Sequence, residues 1–263
     1  MPGAQTLDFV PYRVNLTPFA GLLSNGQPHT VAVSVFDDDS YFSETASLLL
    51  YLDHRSTKVT GAVTKNTLTS PSPVVTENLQ GTTTVTGTIN ATVNRNFTIE
   101  GYVHTSHGKV TTSISGQQKF SGTQTIDFDT ANFTVLDQKT DVETSVSIAT
   151  TVLGDAGITR TRDDFSFPIT VDLILPVNSA PFGLTVTTGQ TYQASREVSH
   201  DGSIVFAKAV NNSVNATDVS PDSSSQTYTS FDAEGGFYHC HIASANNILT
   251  TVSRGCNQQQ DKY

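Results

Sequence analysis

The chain has 263 residues and a hydrophobic fraction of 36%, enough to bury a core in one large β domain or two smaller ones and too apolar for a disordered tail. With 14 Lys+Arg against 24 Asp+Glu the formal net charge is -10, which repels polyphosphate and acidic lipid surfaces and argues against nucleic-acid binding. No apolar run nears the roughly 18 residues of a membrane helix, and Met1-Pro2-Gly3-Ala4-Gln5 lacks the basic and apolar regions of a signal peptide, so the reading is a chain with no membrane span, cut out of something longer.

In chain order, period-two alternation dominates. Val31, Val33 and Val35 share one face of His29 to Phe36, which reads as a half-buried strand. Ser43 to Arg55 follows, with the apolar run Ala46 to Leu52; a helix and a strand buried on both faces both fit, and the strand is preferred. From His54 to Leu79 periodicity fades and Ser70-Pro71-Ser72-Pro73 interrupts the chain, so residues 56–80 read as a linker or long loop. Alternation returns in Thr82 to Val93, Phe97 to His104, Lys109 to Ser115, Thr144 to Val152, Ile169 to Leu175, Leu184 to Thr188, Ser203 to Lys208 and Ile248 to Val252. Turn chemistry at Ser24-Asn25-Gly26, Ser106-His107-Gly108, Ser115-Gly116, Gly154-Asp155, Thr188-Gly189 and Asp201-Gly202 separates these runs. Asn211 to Gln226, rich in Asn, Ser and Asp, reads as a mobile surface loop and a site of proteolysis. The expected class is all-β, an antiparallel sandwich of jelly-roll type whose C-terminal part ends near residue 55, then a Thr-rich β-sandwich domain over 81–263.

Several constellations bear on chemistry. Asp37, Asp38 and Asp39 directly follow the expected strand, with Tyr41, Phe42 and Glu44 close behind. Strand ends and their loops are where β scaffolds present active carboxylates, and two carboxyls with separated pKa values can protonate a leaving group and activate water. The plainer alternative, a solvated acidic turn that deters edge pairing, stays open and is preferred on residues alone. Seven histidines invite a metal reading; in His239-Cys240-His241 the two imidazoles share one strand face and Cys240 takes the other, and no partner motif supplies further ligands. Neither a metal nor a nucleotide cofactor has a visible seat. Cys240 and Cys256 close a short loop that a disulfide would staple, which favours an oxidising compartment. Six Asn-X-Ser/Thr sequons (Asn15, Asn90, Asn96, Asn132, Asn211, Asn215) point the same way, but decide little in a chain so rich in Ser and Thr. The chain has no Trp. Tyr12, Tyr41, Phe42 and Tyr51 are the aromatics considered for stacking a sugar ring, each more often core or rim.

The opening stretch carries more. Leu16-Thr17-Pro18-Phe19, Gly21-Leu22-Leu23, Gly26, Pro28-His29 and Leu50-Tyr51-Leu52-Asp53, set in a run from Phe9 to Asp53, resemble the peptide:N-glycosidase A family of peptide-N4-(N-acetyl-β-glucosaminyl)asparagine amidases. The resemblance implies hydrolysis of the amide between an Asn side chain and the first N-acetylglucosamine, with the intact glycan released. Such chemistry asks for a carboxyl that supplies a proton to the leaving glycosylamine, a placed water, and donors for the developing oxyanion. Family members carry a substantial half ahead of the Leu-Thr-Pro-Phe motif, so the resemblance also implies a fragment or a chain completed by a companion. It implies a secreted or periplasmic protein with an N-glycopeptide or N-glycoprotein substrate and no cofactor. The acidic loop Asp37 to Glu44 is then the candidate catalytic contribution, Asp53 a possible addition, and Tyr41 and Phe42 the candidate substrate contacts. The alternative of another class is a non-catalytic β module that binds glycans or a protein partner.

Overall fold

The computed structural model describes residues 12–33, 45–129, 133–154, 157–176, 185–218, 223–232, 235–246 and 248–257. Among the described residues the fold is all-β and antiparallel, and the strands join a single 12-stranded sheet. They are β1 (Thr60–Asn66), β2 (Val74–Gln80), β3 (Thr84–Thr105), β4 (Gly108–Asp129), β5 (Phe133–Val152), β6 (Ile158–Ser166), β7 (Ile169–Pro176), β8 (Thr185–His200), β9 (Ser203–Thr217), β10 (Ser223–Asp232), β11 (Phe237–Ala245) and β12 (Ile248–Val252). Ahead of them, a 3-10 turn at Thr17–Phe19 leads into the one-turn helix α1 (Ala20–Leu23). β1 and β2 share the outer edge of β3, and from β3 onward the path is a meander in which neighbouring strands pair in sequence order, except that β6 and β7 each pair with β5 and β8 and not with each other. The stretch expected as a linker, 56–80, thus carries two edge strands.

β6 and β7 are one strand interrupted. Both pair with β5 and with β8 in unbroken register, and the gap falls at Phe167-Pro168. Pro168 lacks the amide hydrogen that a ladder requires. Its carbonyl still accepts Thr191 N–H (3.0 Å), and Phe167 N–H reaches Val142 O (2.8 Å).

Every buried strand residue among those described points to one face. Ile99 and Val103 on β3, Thr112, Ile114 and Ile126 on β4, Thr144 on β5, Thr188 and Tyr192 on β8, Val210 to Ala216 at alternate positions on β9, Gln226 and Tyr228 on β10 and Cys240 on β11 all fall on that inner face when the register is followed across the sheet. Its centre is Tyr192, Val210 and Tyr228, with Phe165, Phe167, Ala194 and Tyr238 packed against them. The opening turn covers part of the same face: at Gly101 an added Cβ would meet Pro18 Cα and Cβ at 2.9 Å, so only glycine admits the turn this closely.

Four local expectations are corrected. Of the strand expected over 29–36, residues 34–36 lie outside the described residues; 29–33 form no strand, and Val31 and Val33 are exposed; alternation marks an apolar face but supplies no ladder, and β1 and β2 already occupy the edge of β3. Residues 45–53 are neither helix nor strand, and Leu48 to Leu52 stand in the open. Ser115-Gly116 and Thr188-Gly189 lie inside strands, because those glycines clear space for neighbours: a Cβ at Gly116 would sit 2.3 Å from the Phe97 ring and one at Gly189 2.7 Å from Thr170 Oγ1. Finally, Asn211 to Gln226 contributes the ends of β9 and β10, and Asn212 and Val214 are fully buried.

Candidate functional site

Asp37, Asp38, Asp39, Tyr41, Phe42 and Glu44 lie outside the described residues. Asp53 is described and has a structural task. Its carboxylate accepts Ser106 N–H (2.6 Å) and the Ser106 hydroxyl in the β3–β4 turn, and Arg55 N–H at 3.2 Å. Those hydrogen bonds, the Ser106 hydroxyl first, hold its carboxyl below the ordinary range. Asp53 therefore ties the exposed run Leu48 to Leu52 to the end of the sheet.

Cys240 and Cys256 form a disulfide, with Cα atoms 4.6 Å apart. Cys240 is buried on the inner face, while His239 and His241 share the outer face, where their Nδ1 atoms hydrogen-bond Thr229 Oγ1 (3.0 Å) and Thr227 Oγ1 (2.9 Å). The imidazoles are thus engaged by cross-strand threonines. Among the described residues no three His, Cys, Asp or Glu side chains stand close enough to hold a metal ion. No helix there is long and apolar enough to cross a membrane.

On the inner face a charged group meets the aromatic centre. Asp163 on β6 lies opposite Arg196 on β8, with Arg196 Nε 3.7 Å from Asp163 Oδ1. Burial pushes the Asp163 carboxyl up, against the opposing pull of Arg196 and Arg13. Next to it the Tyr12 ring stands edge-on to Phe165 at 4.9 Å, and desolvation raises its phenol while a Thr144 hydrogen bond works the other way. Tyr12 still leaves 61% of its surface open. The opening segment is clipped here to the body of the sheet.

The opposite, outer face holds a groove of about 620 Å³, inside the roughly 300–1,000 Å³ usual for ligand sites. Two adjacent cross-strand rows build it. One runs Gln117, Ser145, Asp164, Ser195, Ala209, Phe231; the other runs Lys119, Glu143, Ser166, Gln193, Asn211, Thr229. Six strands separated by about 4.8 Å give it a length of roughly 24 Å. Ser145, Asp164, Ser166, Ala209 and Thr229 are half-buried and form the floor; the other side chains stand exposed along it. Between the two rows, on the reverse side of the same strands, lie Thr144, Phe165, Ala194 and Val210 of the core, so the groove is backed by well-packed backbone.

Its charges pair within reach: Lys119 Nζ with Glu143 Oε2 at 3.5 Å, and Arg162 Nε with Asp164 Oδ2 at 2.7 Å. At one end Phe231 faces Phe237 directly across the β10–β11 pair, and both are exposed, 55% and 71%. The turn that sets them side by side is fixed by Gly236 N–H donating to Asp232 Oδ1 (2.7 Å), Asp232 N–H to Gly236 O (3.0 Å), and Gly235 at φ 83°. The sequence reading missed this pair. The signal was Phe231-Asp232 before a Gly235-Gly236 turn and Phe237 after it, a hairpin pattern that places two aromatics opposite each other.

The class these observations define is an antiparallel β meander with one buried face and an open groove on the other. No family model and no solved structure matches the chain. Over 143 residues it is 27% identical to peptide-N4-(N-acetyl-beta-glucosaminyl)asparagine amidase A of Prunus dulcis, a stretch covering 54% of this chain and 24% of the relative. The chain thus spans about a quarter of that relative's length, and the relationship is distant.

Proposed function

We propose that the chain is part of a secreted amidase that hydrolyses the Asn–GlcNAc bond of N-glycoproteins and frees the intact glycan. The observation that carries this reading is the similarity over 143 residues to an amidase of that name, to which the Leu16-Thr17-Pro18-Phe19 and Leu50-Tyr51-Leu52-Asp53 motifs add their resemblance. The disulfide suits an oxidising compartment. In this reading residues 1–55 belong to the catalytic body and bring the acidic loop Asp37, Asp38, Asp39 and Glu44, one carboxyl of which protonates the leaving glycosylamine while another activates water. Tyr41 and Phe42 contact the substrate. The exposed apolar run Leu48 to Leu52, held out from the sheet at Asp53, is the surface on which the remainder of the active body packs.

The test uses a denatured N-glycopeptide at acidic and neutral pH, with mass spectrometry reading conversion of the glycosylated Asn to Asp. The longest product of the gene should release glycan, and replacing Asp37, Asp38 and Asp39 together by Asn should lower the rate by at least about a hundredfold. No release by that longest product under any of these conditions overturns the reading.

A further inference from the structure

We propose that the outer-face groove across β4, β5, β6, β8, β9 and β10 is a binding site for a neutral oligosaccharide, with Phe231 and Phe237 as the platform on which one sugar ring stacks. The inference goes beyond the amidase reading and holds whether or not the chain hydrolyses anything. Three observations select this ligand class.

The first is the lining. Its open surface is mostly apolar, and Gln117, Ser145, Ser166, Gln193, Ser195, Asn211 and Thr229 set hydroxyls and carboxamides into it, groups that both donate and accept. A sugar's hydroxyls do the same, whereas a phosphate only accepts and an ammonium only donates. The second is charge. The groove's charged side chains are Lys119, Glu143 and Asp164, and each has an ion-pair partner of opposite sign on the same or a neighbouring strand. These are surface pairs, and they leave no unpaired charge in the lining to attract a phosphate or an ammonium. The third is shape. The groove is long, open and crosses the strands at a pitch of about 4.8 Å, and it ends at two exposed phenylalanines where an apolar sugar face has somewhere to rest. A compact cofactor would need an enclosed pocket; an extended chain of rings fits a trough.

The experiment is a titration of the isotope-labelled chain with chitotetraose, read by backbone amide shifts, with dextran sulfate as the anionic comparison. The shifts should fall on the outer-face rows from Gln117 to Phe231, with an affinity in the roughly millimolar range. Phe231→Ala and Phe237→Ala should each weaken binding by at least about threefold, while Thr86→Ala, on the outer face of β3 away from the groove, should leave it unchanged. Circular dichroism confirms that each variant folds, and a Phe231→Tyr variant that keeps the ring should retain binding. Shifts confined to other parts of the chain, equal binding by the alanine variants, preference for dextran sulfate, or no shifts at about 10 mM sugar would each overturn the proposal. Glycan release is a separate readout: an amidase without groove binding sinks this inference alone, and groove binding without release sinks only the amidase reading.

Discussion

Asn211 and Asn212 are neighbours of the same type with opposite fates. Asn211 stands exposed on the outer face in the groove, while Asn212 is fully buried between Tyr192 and Tyr228, its cross-strand partners on the inner face. The comparison extends to the whole sheet. The inner face gathers the buried residues around an aromatic centre; the outer face mixes hydroxyls, amides and paired charges with the exposed Phe231 and Phe237. One residue of register separates the two chemistries, because side chains alternate strictly along a strand. The face that holds the fold together and the face proposed to meet a ligand are therefore two sides of the same backbone, and substitutions should separate them.

The largest expected effect is on the inner face. Val214 is fully buried on β9, so Val214→Asp places an unpaired charge in the core and should cost more than about 4 kcal/mol; urea denaturation should find the variant largely unfolded. A wild-type midpoint would show that this face is not the core. Next comes the disulfide that ties Cys240 on the inner face to Cys256, 16 residues on. The double variant Cys240→Ala/Cys256→Ala should lose about 3 kcal/mol, measured by thermal or urea unfolding.

The strand content and the disulfide were legible in the sequence, and so was the opposed facing of Cys240 and its flanking histidines, since both periodicity and residue type spoke locally. Strand lengths were harder. Gly116 and Gly189 read as turns, yet each serves a side chain arriving from a neighbouring strand, Phe97 and Thr170, and that reason is written elsewhere in the chain. Asn211 to Gln226 read as a loop because composition outweighed the Val210, Asn212, Val214, Ala216 alternation that builds the core. The groove was illegible for a related reason: its rows take one or two residues from each of six strands, and only the register assembles them. The acidic loop was named from local signal alone and falls outside the described residues.

The two asparagines give the comparison its finest test. Gln226 Nε2 donates to Asn212 Oδ1 at 3.1 Å, whereas Asn212 Nδ2 has no partner. Asn212→Ala removes one acceptor of Gln226 and leaves a small void, with an expected loss of about 1–3 kcal/mol. Asn211→Ala should change stability by no more than about 0.5 kcal/mol. Equal losses in urea unfolding would mean that the two faces are not distinct.

The smallest effects lie in two carboxyls whose environments act in opposite directions. Asp163 is raised, by burial first, so the folded chain holds its proton to higher pH than the unfolded chain does. Its stabilising contribution is complete below the ordinary carboxylate value of 3.8 and is lost as pH rises through the raised value. Asp53 is lowered by its Ser106 hydrogen bonds, so its contribution is present above 3.8 and disappears as pH falls through the lowered value. Asp163→Asn should therefore gain on the wild type as pH climbs through the carboxylate range, because the variant carries no charge to desolvate. Asp53→Asn should fall behind over the same climb, because the Ser106 clamp works best on a carboxylate. Urea midpoints from about pH 3 to pH 7 check both slopes. If the Asp163→Asn difference were flat, the carboxyl would be solvated and Tyr12 and Arg13 would not be lying over the inner face; if it reversed, attraction to Arg196 and Arg13 would outweigh burial there.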